Sequence, residues 1–543
     1  MHNLSVPSLL SSMRQEITRS MESLRSPRQP RPYYISYLIT DVTEDTIWGR
    51  YGALCESKKN HKRSCYTDVR VGSFRYDHVT HGGLQDNSDE TESYNMVSLP
   101  IEDNERAVRF SLWRLTDARY REAVAAYHER KSNDVNYEDD NSHLASFVKQ
   151  KPVQEQHLNS EPSYNRKDVE AYIRETSRVF EAWPAIKSSY IEFNSHYQTR
   201  TFTNSEGSAK SWDHSLFTVT AFMWFHIKGE THEATLVFNC KDFDDLPTQE
   251  NLEIKIKERF QLLTEVSQAE KMTSYAGPVL LESQPAGLFL HEVIGHRLEG
   301  SRLLSDDEGK TFKDKLGKRI MPKELSIYDD PTLEQYNHIK LVGSYKFDDE
   351  GTKAQRVNLI ERGVLKNFLS TRAPHIATKK HQSNGHARNE SYERPISRMS
   401  NLVIESSSQF TSKELKQQLI EEIKRKNLPY GIRLIEVEGG ETGTESYDFQ
   451  AFLGEITIAA KVFPDGSEEW VRGVDFVGTP LSSLANIIAV SKDISVDNGF
   501  CGAESGFVPV STVSPAMLVS NLELQAKHAK RPVPYTLPLP WLE

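Results

Sequence analysis

The run Pro285-Ala-Gly-Leu-Phe-Leu-His291-Glu292-Val-Ile-Gly295-His296-Arg-Leu-Glu299-Gly300 places two histidines and a glutamate at the end of an apolar, helix-length stretch. In a His-Glu-x-x-His helix the imidazoles are four residues apart and about 40° apart around the axis. Here the spacing is five. On a regular α-helix that separates them by about 140°, poor geometry for holding one ion. A π-type turn, closed by i→i+5 hydrogen bonds, returns both to nearly one face, and such turns favour functional sites. Gly295 stands where a distorted turn needs a permissive residue. One reading is a buried helix with a π turn that presents His291 and His296 to a metal. The plainer reading is a core helix that carries two histidines.

A third ligand has to come from elsewhere, as a carboxylate or a thiolate. Cys501 stands out, in Asp497-Asn-Gly-Phe-Cys501-Gly-Ala-Glu-Ser-Gly506-Phe-Val-Pro-Val510, read as a glycine-flanked loop before a strand-like run. An isolated cysteine is otherwise a small buried hydrophobe. His381 and His386 are the alternative ligands. Glu299 reads either as an exposed helical glutamate or as the group that orients an imidazole. Asn384, Gly385, His386 and Arg388 read as a lining of the substrate path or as a polar turn. Asp348-Asp349-Glu350-Gly351 reads as a solvated hairpin turn.

Beyond the helix, residues 339–347, 355–360, 364–370, 447–462 and 470–477 are short β-like runs separated by Gly, Asp and Asn. The first half is more mixed. Helical spacing marks 8–24, 113–131, 166–183 and 251–271, and strand-like segments fill 188–239. Residues 33–75 read as a β-hairpin whose arms carry Cys55 and Cys65 around a basic turn at 58–63. A polar tract, 132–163, reads as an exposed insertion, turn residues at 274–278 as a boundary, and the four prolines of 530–542 as an extended tail. The predicted architecture is α+β, an N-terminal α/β domain (1–273) followed by a β-rich C-terminal domain (274–543) carrying the metal-binding helix.

The chain has 543 residues with formal charge −11, 37% hydrophobic and 26% charged residues. This balance argues for globular domains and against a protein whose main work is coating nucleic acid. Four scattered cysteines form no disulfide framework, and neither a secretory signal nor a membrane span is recognisable. A cytoplasmic protein is expected.

Five blocks, in order, resemble the TldD/PmbA metallopeptidases, in particular the motif-bearing TldD-like branch. They are His291-Glu-Val-Ile-Gly-His296 with Leu298-Glu-Gly300; Ile327-Tyr-Asp-Asp-Pro-Thr332; Gly343-Ser-Tyr-Lys-Phe-Asp-Asp-Glu-Gly351 with Leu359-Ile-Glu-Arg-Gly-Val-Leu-Lys366; Asn384-Gly-His-Ala-Arg388 with Arg394-Pro and Arg398-Met; and the Cys501-Gly loop with Val508-Pro-Val510. The resemblance implies zinc held by His291, His296 and Cys501, an open fourth position for water, and Glu292 as general base. A thiolate ligand makes zinc a weaker Lewis acid, so turnover is expected to be slow. The resemblance further implies subunit pairs that enclose a cavity for small or unfolded peptides, as a homodimer or as a heterodimer with a PmbA-like subunit. Two other readings are a non-catalytic assembly or peptide-binding subunit of such a complex, and another metal-dependent amide hydrolase or redox metal site.

Overall fold

A computed structural model describes residues 6–24, 27–80, 98–102, 104–134, 144–305, 307–376, 382–408, 410–446 and 450–527. The tail at 530–542, His381 and part of the tract 132–163 lie outside them.

The N-terminal sheet is built on long strands: β1 (Pro32–Arg50), β2 (Ala53–Val71), β3 (Gln154–His157), β4 (Ile186–Asn204), β5 (Ala209–Ile227) and β6 (Glu230–Cys240). The order is β2-β1-β4-β5, with β3 and β6 sharing the far edge of β5. The β1–β2 hairpin turns at Tyr51-Gly52, both with positive φ, 46° and 75°, which a tight two-residue connection requires. The expected turn at 58–63 is therefore corrected: those basic residues lie inside β2, opposite Asp41 to Thr46 of β1. Cys55 and Cys65 share one strand, Cys65 opposite Ile39, so they do not face each other across the hairpin. Solvated, polar strand residues resemble a loop in sequence, whereas the backbone demand at Tyr51-Gly52 fixes the turn.

Alternation sorts the two faces of this sheet. Ile35, Tyr37, Ile39 and Ile47 of β1 face helices α1 (Val6–Ser23), α2 (Glu105–Asn133), α3 (Arg166–Ser177) and α4 (Gln249–Ser267). Leu38 of β1, Phe202 and Trp212 face the other way and close on Phe347 of the C-terminal half.

The second sheet contains β7 (Ser274–Leu281), β8 (Leu325–Asp329), β9 (Val357–Glu361), β10 (Asn401–Ser406), β11 (Gly431–Thr442), β12 (Phe452–Val462), β13 (Val474–Gly478), β14 (Ile487–Ala503) and β15 (Gly506–Ala526). The expected boundary turn at 274–278 is the first part of β7. Strand β15 is the hub, pairing with β7, β10, β13 and β14. Because β13 pairs with both β12 and β15, the path β15-β7-β11-β12-β13 closes on itself. Closure removes free edges from this part of the sheet. The β-rich, α+β architecture read from sequence is the one observed. Of the run 339–347, only Ile339–Lys340 is strand.

Candidate metal centre

Helix α5 (Ser283–Leu290) packs against β11, β14 and β15, with Phe289 edge-on to Phe452 at 5.5 Å between ring centroids. Its Pro285 falls in the first turn, where a missing N–H is harmless. The helix runs into a π turn, His291–Gly295, closed by the His296 N–H donating to the His291 carbonyl. This is the turn the five-residue spacing asks for, and the two imidazole centroids end 5.1 Å apart. Gly295, however, is not needed for backbone freedom, since its φ and ψ are −51° and −62°. It is needed for space: a Cβ there would lie 2.1 Å from Met399 Sδ.

Cys501 lies near the end of β14, paired with Val508 of β15, so the expected loop is a hairpin strand. Fully buried Arg398 holds this hairpin, donating to the carbonyls of Cys501 (2.6 Å) and Gly506 (2.9 Å) and to Ser505 Oγ (3.0 Å). The sequence reading gave Arg398 no role, because a lone arginine before Met399 carries no spacing signal.

Cys501 Sγ lies 3.3 Å from His291 Nε2 and 3.4 Å from His296 Nε2. Ligand atoms of all three residues fall within 4.8 Å of one another, and all three residues are buried. Tetrahedral zinc, with Zn–S about 2.3 Å and Zn–N about 2.1 Å, sets its sulfur and nitrogen ligands about 3.5 Å apart. The donor set and spacing therefore fit zinc. Burial alone pushes the Cys501 thiol up, but His296, His291 and Arg398 together draw it well below its ordinary value. Conversely, burial lowers His296, while the Cys501 thiolate and Glu299 raise it well above.

Glu299 is buried, which removes the exposed reading. Its Oε2 lies 3.2 Å from His296 Nδ1 and accepts from Arg302 Nε at 3.1 Å. Burial pushes this carboxyl up, yet His296, Arg302 and Arg398 bring it down to about 2. An ionised carboxylate on Nδ1 fixes the tautomer that leaves Nε2 free to bind a metal.

Glu292 is 4% exposed, and Gly440 of β11 lets it in, since a Cβ there would come within 3.0 Å of Glu292 Cγ. Arg297 ties the π turn to this wall, donating to the Glu292 carbonyl (2.7 Å), Thr442 Oγ1 (2.5 Å) and the Gly443 carbonyl (3.0 Å). His291, Glu292, His296 and Cys501 line a cleft of about 720 Å³, walled by the ends of β11 and β14.

The other residues singled out in the sequence lie elsewhere. His386 is buried, with Nε2 3.0 Å from Asp329 Oδ1, and is not among the clustered ligands. Asn384 bonds the Ser370 N–H and the Phe368 carbonyl, and Arg388 the carbonyls of Met399 and Pro509, so both brace loops. Arg388 borders a separate cavity of about 410 Å³. The acidic run is not solvated: Asp348 accepts from the N–H groups of Thr352 and Ala387, and Asp349 pairs with Arg200 of β4. It joins the two halves of the molecule, a long-range role that no local pattern announces.

Residues 274–526 match the family described as the PmbA/TldA metallopeptidase C-terminal domain. A metalloprotease from Archaeoglobus fulgidus is 34% identical over 243 residues, covering 44% of this chain and 51% of its own length. A protein named zinc metalloprotease TldD homolog, from Saccharolobus solfataricus, is 30% identical over 262 residues, 48% of this chain and 54% of its own length. The chain thus spans about half the length of these curated relatives. The crystal structure of TldE from Thermococcus kodakarensis shares the fold, with TM-score 0.61 and 13% identity over 95% of this chain and 100% of that one.

Proposed function

Since the chain belongs to the TldD/PmbA family through residues 274–526, we propose that it is a zinc-dependent peptidase, with His291, His296 and Cys501 as ligands and Glu292 as general base. The observation that carries this reading is the convergence of two helix imidazoles and one strand thiolate within 4.8 Å. The zinc metalloprotease name of the Saccharolobus solfataricus relative supports the choice of ion. Thiolate and imidazole donors also favour zinc over oxygen-activating iron.

When bound, zinc supplies a Lewis acid and lowers the pKa of a water to about 7. The protein's own residues do the rest. Glu299 holds His296 with Nε2 facing Cys501. Glu292, beside a ligand and at the cleft floor, takes the proton of the attacking water and returns it to the departing amine. The ends of β11 and β14 keep the peptide against this floor. Small or unfolded peptides are the substrates, and a second subunit, a like copy or a PmbA-like partner, completes an enclosed chamber. The same reading divides the chain between 273 and 274, where the family match begins, and sets its work in the cytoplasm.

Metal content per chain, measured on wild type, Cys501→Ser and His296→Ala, tests the site. About one zinc is expected in wild type, with affinity falling at least tenfold in each variant. Glu292→Ala is expected to keep the zinc and lose peptide hydrolysis. Zinc retained at full affinity in Cys501→Ser would move the third ligand elsewhere, and turnover by Glu292→Ala would remove the general-base role.

A further inference from the structure

The charge of the cleft is one-sided. Glu438, Glu441 and Glu445 project from β11 and the turn after it, Asp497 from β14, and Glu292 from the floor. The only lysine or arginine among the described lining residues is Arg302. That guanidinium is already committed to Glu299 (3.1 Å), Glu308 (3.0 Å) and Glu504 (2.9 Å), so it offers nothing to a visiting anion. Glu292 is nine-tenths buried and aimed into the cleft, with no hydrogen bond or ion pair to its carboxylate among those described. Burial and the neighbouring carboxylates Glu233 and Glu455 push Glu438 above its ordinary value, against the pull of Lys527 and Arg259. Gly439 and Gly440 stand between Glu438 and Glu441, and a Cβ on Gly439 would meet nothing within 4 Å, so approach to this wall is open. Carboxylates gathered around a concave site focus a field that attracts cations and repels anions.

We propose that this cleft selects peptides bearing a positive charge beside the scissile bond, an ammonium or guanidinium that pairs with the Glu438–Glu441 wall and with Asp497 opposite. This rests on the peptidase reading for its chemistry, though the charge preference itself is a property of the cleft. The cation has two sources, a lysine or arginine side chain or a free α-ammonium.

The test uses the zinc-loaded full chain and quenched fluorescent peptides differing only in Lys, Gln or Glu at each position around the cleaved bond, each with a free and an acetylated N-terminus. The Lys peptide is expected to exceed its Glu counterpart about tenfold in kcat/KM, the size of one partly shielded ion pair. That ratio is expected to shrink as salt rises from about 0.05 to 0.5 M, and to invert in Glu438→Lys/Glu441→Lys. Asp497→Lys serves in its place if the double variant loses its fold or its zinc. A Lys-over-Glu preference that survives acetylation assigns the cation to a side chain, and a rate that falls on acetylation whichever side chain is present assigns it to the α-ammonium. Binding of the same peptides to zinc-loaded Glu292→Gln, read by fluorescence anisotropy, separates the two ideas. Cleavage with equal Lys and Glu rates and equal rates for free and acetylated N-termini overturns the charge inference and leaves the peptidase. Absent cleavage with tighter binding of the Lys peptide keeps the charge inference and removes the peptidase. Neither cleavage nor preferential binding overturns both.

Discussion

At the scale of single residues, the site turns on groups that act through others. Glu299 touches no substrate in the proposed reaction, yet it sets the His296 tautomer from a buried position 3.2 Å away. Glu299→Gln keeps the shape and removes the charge, and it is expected to weaken zinc binding about 10–100-fold. Competition against a chelator of known affinity measures this, and unchanged affinity would mean that Glu299 serves only Arg302 and Arg398. The five-residue histidine spacing was legible because it conflicts with α-helical geometry and so demands a specific distortion. Glu299 was half legible: i+3 from His296 puts it within reach, but its burial depends on Arg302 and on Arg398, a residue about 100 positions away. His386 misled for the opposite reason. Its chemistry is that of a ligand, and only the fold pairs it with Asp329.

Elements carry the next level of the argument, and there the π turn is held from outside. Met399, fully buried, fills the space against Gly295 that a side chain would need. Gly295→Ala is expected to lower stability by about 1–3 kcal/mol through overpacking, and Gly295→Ala/Met399→Ala to recover part of that loss. Denaturant titrations of the four-member cycle measure the coupling; additive losses would show that the contact is not the cause. The glycine was legible in the sequence, but its reason was not, since backbone freedom and close approach call for the same residue. Element boundaries failed where solvent-facing strands look like loops. The basic residues 58–63 of β2 and the Cys501 segment of β14 both extend ladders whose partners fix them, residues 41–46 and 506–513. Glycines beside Cys501 suggested a loop, yet the pairing of Cys501 with Val508 is regular.

Across the whole molecule, the N-terminal sheet and the C-terminal half meet through buried polar groups. Arg372 is fully buried and reaches Glu206 (2.7 Å), Tyr34 Oη (3.1 Å) and the Val148 carbonyl (2.6 Å for its closest nitrogen), while Lys210 of β5 donates to the Gly351 carbonyl. His214 of β5 donates from Nε2 to the Val342 carbonyl at 2.9 Å, and burial lowers its pKa to about 3. In the unfolded chain the same histidine titrates near pH 6.5. Between these values the unfolded state binds the extra proton, so this contribution to stability is complete above about pH 6.5 and is lost as pH falls toward 3. Relative to His214→Gln, wild type is expected to lose stability on acidification by up to about 1.4 kcal/mol per pH unit. Parallel denaturation curves at pH 7, 6 and 5 read the difference, and a constant gap would mean that His214 is not held neutral. None of this seam was legible, because its partners lie more than 100 residues apart; the α+β class was, because periodicity is local. One consequence concerns synthesis. The hub strand β15 begins about 225 residues after β7 ends. At about 5–20 residues per second, β7 and the histidine helix wait tens of seconds on the ribosome for the strand that completes their sheet and for Cys501 just before it. Throughout that interval β7 exposes an apolar edge, and the nascent chain is open to holding by chaperones.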